Sequence, residues 1–135
     1  MNAFDRCLSS LLSEFKRQAQ PQVRSLWADL MELEEAIDER AFAAARQQAL
    51  HRIRVLGQAA TAAHAHPVRS ITQSLELTLG TLMHTRAAAG PELFTRLYDT
   101  IWILAETLYS MDVDAPVSER CRQPDELTLV ESCAD

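Results

Sequence analysis

The chain has 135 residues, 47% of them hydrophobic, and a net charge of −6, which fits one domain with a real core. Net acidity excludes general nucleic-acid binding, which needs a basic footprint across a whole face. The lack of any run of about eighteen apolar residues excludes a membrane-spanning helix.

Only three glycines and five prolines occur in a chain rich in Ala and Leu, so helices joined by short loops are expected. The first, over 2–19, repeats apolar groups at Phe4, Leu8, Leu11 and Phe15. Pro21 suits a first helical position, opening a second helix with Val23, Trp27, Leu30 and Ile37 inward. A single helix kinked at Pro21 is the alternative. Asp38 is the expected N-cap of a third helix running to about His64. Its stripe of Phe42, Ala45, Ala49, Ile53, Leu56, Ala60 and Ala63 steps by three or four throughout, and its small residues suit close helix packing. His66-Pro67 ends it, because a residue before proline avoids helical geometry.

A fourth helix is expected from about Pro67 to Arg86, with Val68, Ile71, Leu75, Leu79 and Leu82 inward. Gly90-Pro91 marks the next turn. The fifth helix carries Phe94, Leu97, Ile101, Leu104, Leu108 and Met111. Short connections between amphipathic helices imply antiparallel neighbours, hence an all-α, up-down antiparallel four-helix bundle with an additional N-terminal helix. Trp27, Tyr98 and Trp102 sit at core-like positions and do not interleave with arginines as base-stacking platforms would. Residues 1–111 form the expected bundle, and 112–135 the expected linker and appendage. Within the latter, 112–126 are polar with Pro116 and Pro124. Leu127–Val130, followed by Glu131 and Asp135, is similar to the opening strand and acidic turn of a response-regulator receiver domain, or else is a tail. The first reading makes this chain the front of a longer protein.

Charge is unevenly distributed. No acidic residue lies between Glu39 and Glu76, a stretch holding Arg40, Arg46, Arg52, Arg54 and Arg69 with His51, His64 and His66. Residues 1–39 carry eight acids against four bases, and 76–135 eleven against four. The central helix is thus a candidate basic face for an acidic partner, or a solvated helix without specific role. Cys7, Cys121 and Cys133 are odd in number and widely spaced. They read as reduced thiols, and the N-terminus lacks a secretion-signal pattern, so a cytoplasmic location is expected. His64 and His66 point to different helix faces without other ligands at metal spacing, His84 reads as solvated, and Glu32, Glu34 and Glu35 as a solvated face. No metal site or cofactor is expected, and no nucleophilic triad, phosphate loop or HExxH motif occurs.

The order of helices, with histidine on a long central helix before a proline turn, resembles a histidine-containing phosphotransfer (Hpt) domain over roughly residues 4–111. That family passes phosphoryl groups between receiver aspartates through one exposed histidine. Its motif is His-x-Leu-Lys-Gly-x-Ala, and a Leu-Glu pair lies on the next helix. Two incompatible registers fit. In the first, His51-Arg52-Ile53-Arg54 supplies the motif: His51 is the phosphoacceptor, Ile53 the buried anchor, Arg54 the cation beside the phosphoryl group, and Val55 replaces the glycine. In the second, Leu75-Glu76 lies at the family distance and Arg54–Ala60 is the motif, with Ala49, Leu56 and Ala60 inward. Arg54 then occupies the phosphoacceptor position.

His51 and Arg54 are three apart and share one exposed face in either register. The resemblance therefore implies a phosphorelay module that docks a receiver domain through Arg52, Arg54 and Gln58 and accepts phosphate on His51. The other implication is a degenerate module for protein–protein interaction or homodimerisation. Neither is a turnover enzyme.

Overall fold

The computed structural model describes residues 3–111; the expected linker and strand-like segment lie outside them. Four α-helices are present among the described residues: α1 (Ala3–Glu34), α2 (Glu39–Ala62), α3 (His66–Leu77) and α4 (Pro91–Ser110), with a π-helical stretch at Thr78–Leu82. The protein is all-α. It divides into two compact units, one of residues 18–108 and one whose described residues are 3–17 and 109–111.

The two helices expected before residue 38 are one. α1 runs through Pro21, so the second of the two readings for that segment holds. Pro21 is exposed, on the flank away from the buried Val23, Leu26, Leu30 and Leu33. Two residues expected inward point out instead: Ile37 is 82% exposed and Trp27 37% exposed. Ile37 fails because α1 has already ended. Trp27 fails because the buried arc is set by Leu26, Leu30 and Leu33, leaving Trp27 at its edge. In the smaller unit Phe15 is buried, but Leu11 is exposed. There the Lys16 ammonium donates to the carbonyls of Tyr109 (3.3 Å) and Met111 (3.0 Å). It meets carbonyls left open where α4 ends.

α2 follows its sequence pattern closely. Asp38 is the N-cap, with extended backbone and a carboxylate accepting from the Ala41 N–H at 2.8 Å. All seven residues of the expected stripe are buried, together with Leu50. The helix ends in a Schellman turn: the Ala65 N–H reaches the Ala60 carbonyl at 2.8 Å and the His64 N–H reaches Thr61 at 3.1 Å. His64 takes the left-handed position, φ 60°, that glycine usually fills.

α2 packs against α3 and the π-helical stretch. Gly57 lies where α2 and α3 approach: a Cβ there would stand 3.0 Å from Thr72 Oγ1. Thr72 cannot easily yield, because its hydroxyl donates to the Arg69 carbonyl at 2.8 Å. The expected helix to Arg86 is shorter than the pattern suggested. At Thr78–Leu82 the ladder widens, with the Met83 N–H bonded to the Thr78 carbonyl five residues back. The Arg46 guanidinium takes the Leu79 and Gly80 carbonyls at 2.8 and 3.0 Å. This π stretch leaves Leu82 43% exposed, against expectation, while Leu79 and Met83 are buried. α4 starts on Pro91 and buries Phe94, Leu97, Ile101, Leu104 and Leu108 as its period requires.

Candidate functional site

α2 presents an exposed strip along its length: Arg40, Ala44, Gln47, His51, Val55, Gln58 and Ala62 recur every three or four residues opposite the buried stripe. His51 is exposed, and its ring makes no hydrogen bond to a described residue. Val55, one turn on, is 44% exposed and stands beside it on the same face.

The neighbouring arginines diverge from His51. Arg52 turns toward α1, where its Nε donates to Asp29 Oδ2 at 2.6 Å and its second guanidinium nitrogen donates to Gln22 at 2.9 Å. Asp29 is only 5% exposed, and its other oxygen accepts from Gln48 Nε2 at 2.9 Å. One buried carboxylate thus ties α1 to two turns of α2. Arg54 turns toward α3 and donates from Nε to Glu76 Oε2 at 2.8 Å. That pair is about half exposed at both ends. Leu75, beside Glu76, is buried.

The basic stretch of sequence is therefore not a uniform basic surface. Arg46 is spent on backbone carbonyls, and Arg52 and Arg54 are paired with acids from α1 and α3. Arg40 and Arg69 have no ion-pair partner among the described residues. Of the four residues singled out from sequence, Arg52 is held on one side of α2 and Arg54 on the other. His51 and Gln58 lie exposed on the strip between them.

Between α2 and α3 runs an open groove of about 310 Å³, floored by Ile53, Gly57 and Thr72. Arg54, Gln58 and Thr61 line it from α2, and Arg69, Gln73 and Glu76 from α3. Arg69 belongs to the acid-free stretch of the sequence, whereas Gln73 is not among the residues that sequence points to. The signal was available: the two lie four apart at the acid-free start of α3. Without knowing which face of α3 meets α2, that spacing carried no weight.

A second surface lies where α1 meets α4. The Trp27 and Tyr98 rings pack at 4.7 Å between centroids, tilted by 51°, and the Tyr98 hydroxyl donates to Glu34 at 2.8 Å. Burial, the bond to Glu34 and the charges of Glu34 and Glu35 push the Tyr98 hydroxyl up to about 12. Neither tryptophan is a core residue as the sequence suggested, Trp102 being 60% exposed. A Tyr or Trp at a helix flank satisfies the apolar period while keeping its polar end wet.

Among the described residues no cluster of His, Cys, Asp or Glu could hold a metal ion, and no helix is long and apolar enough to cross a membrane. The His64 and His66 rings are 6.3 Å apart. The exposed His84 ring bonds the Thr81 carbonyl. Compared with protein-family models, with curated proteins and with solved structures, the chain finds no match.

Proposed function

We propose that this protein is a cytoplasmic, Hpt-like docking module of two-component signalling. On this reading the helices form an up-down antiparallel bundle, and the exposed strip of α2 around His51, Val55 and Gln58 receives a receiver domain without taking its phosphoryl group. The observation that carries the reading is the Arg54–Glu76 bond at 2.8 Å. In the register that places Leu75-Glu76 at the family distance, Arg54 stands where the phosphoacceptor would be, and it is held by the glutamate of that pair. Burial of Leu56 and Ala60 at 2% and 0% exposure suits the same register.

A second reading, phosphate acceptance on His51, is favoured by the exposure of that ring and its freedom from hydrogen bonds among the described residues. A neutral imidazole presented to a receiver aspartyl phosphate would attack phosphorus, with the aspartate leaving as carboxylate. The receiver's own magnesium would hold the phosphoryl oxygens. Neither arginine beside His51 is aimed at it, so the charge-assisted bonds such a site would use are committed elsewhere.

The test is incubation of the protein with phosphorylated receiver domains from the same genome, with chemical-shift mapping in parallel. Docking on the α2 strip without acid-labile label supports the first reading. Label that disappears in His51→Gln establishes the second. Failure of every receiver to bind overturns both.

A further inference from the structure

The groove between α2 and α3 carries two guanidinium groups that differ in state. Arg69 lines it with no ion-pair partner among the described residues, while Arg54 is held by Glu76 from the same groove. Gln58 and Gln73 add amide donors from opposite walls. Glu76 is the only acidic residue among the described residues that line the groove. Both ends of the Arg54–Glu76 pair are about half exposed, at 53% and 42%, and exchange of such a pair for another carboxylate is nearly isoenergetic.

We infer that this groove binds a carboxylate-bearing acidic segment of a partner protein, with Glu76 as a built-in competitor. The incoming carboxylate bonds Arg69 first, then displaces Glu76 from Arg54. Glu76 swings into solvent, so its displacement sets a threshold on affinity without burying a charge. The inference needs no chemistry at His51; the groove shares Gln58 with the α2 strip, but Arg69 and Gln73, on α3, lie off that strip.

The experiment titrates the intact protein with an unstructured oligo-aspartate peptide, following the arginine Nε–H resonances. The expected result is shifts at Arg54 and Arg69 but not at Arg24 or Arg40, and binding that weakens with salt. Arg69→Gln should weaken binding roughly tenfold, since a charge-assisted bond is lost. Arg24→Gln, the same charge change away from the groove, should weaken it less than about twofold. Glu76→Gln should tighten binding roughly threefold, the scale set by an exposed ion pair. Glu35→Gln, its charge-matched control, should not. His51→Gln should bind as the parent does, which separates this result from any outcome at His51. Equal effects of Arg69→Gln and Arg24→Gln would reduce the binding to net charge and overturn the inference. So would a Glu76→Gln variant that binds no tighter than Glu35→Gln.

Discussion

Asp29 is the most consequential polar residue in the compact unit, and Asp29→Asn tests why. Its carboxylate is almost fully buried and uses both oxygens, one for Arg52 Nε at 2.6 Å and one for Gln48 at 2.9 Å. An amide has one oxygen, so either Arg52 or Gln48 would face an N–H₂ group. If Arg52 keeps the oxygen, it still loses its counter-charge with only a quarter of its side chain in water. A hydrogen bond to a charged group contributes about 1.5–3 kcal/mol, and breaking a fully buried pair costs about 3–5 kcal/mol. Arg52 is partly wet and keeps Gln22, so the lower range applies, and about 2 kcal/mol is expected. For a unit of this size that lowers the Tm by roughly 10 °C. Urea melts of the parent, Asp29→Asn, Arg52→Met and the double variant would close a double-mutant cycle. In the Arg52→Met background Asp29→Asn should cost little, because no cation is left unpaired. A single-variant loss below about 0.5 kcal/mol, or an equal loss in both backgrounds, would refute the claim that this carboxylate locks α1 to α2.

Two further outcomes follow from the same packing. Tyr98 should ionise near pH 12, read as tyrosinate absorbance in a Tyr109→Phe background, and Glu34→Gln should lower that midpoint. Because the folded value lies above the ordinary 10.0, the stabilisation is fully present below pH 10 and is lost as pH rises toward 12; a midpoint at 10 would refute it. Gly57→Ala should fail to deliver the gain of about 1 kcal/mol that Ala normally brings to a helix interior, since its Cβ meets Thr72 Oγ1 at 3.0 Å. In a Thr72→Ala background the gain should reappear in thermal melts, and its absence there would show that the two helices are not held at that distance.

The fold class was readable because periodicity and caps agree. The α2 stripe is buried in full, and Asp38 caps the helix at the expected position. The α4 stripe from Phe94 to Leu108 is buried likewise. What periodicity cannot supply is the arc of a helix that its neighbours cover. Trp27 and Leu26 fit α1 equally well as spacing, yet Leu26 is 1% exposed and Trp27 is 37% exposed. The π-helical stretch was hidden for a related reason. It is held by Arg46, more than thirty residues earlier, whose guanidinium takes carbonyls that have left the helical ladder. The basic stretch misled in the same way. Asp29 and Glu76 lie outside the acid-free run in sequence, yet they meet its arginines in space.

The two registers of the motif also have a physical relation that sequence comparison obscures. They differ by three residues, which on an α-helix is about 4.5 Å along the axis with a rotation of about 60°. Both therefore present the same side of α2, and a receiver could dock there whichever register applies. Phosphoryl transfer is less tolerant, since reacting atoms must come within about 3–3.5 Å in line. A receiver seated so that its aspartate faces Arg54 would hold the phosphoryl group most of a turn away from His51. It would also meet a guanidinium already engaged by Glu76. On the proposed reading, docking and transfer would thus be separable properties of this face. Val55, 44% exposed where the first register has glycine, adds bulk one turn from His51. Replacing it with glycine clears the approach to His51 without altering the Arg54–Glu76 pair. If Val55→Gly leaves receiver affinity unchanged but brings acid-labile label onto a parent that had none, steric crowding at His51 is what separates docking from transfer. If the variant docks and remains unlabelled, the register itself is the cause, and Arg54 holds the position that a phosphoacceptor would need.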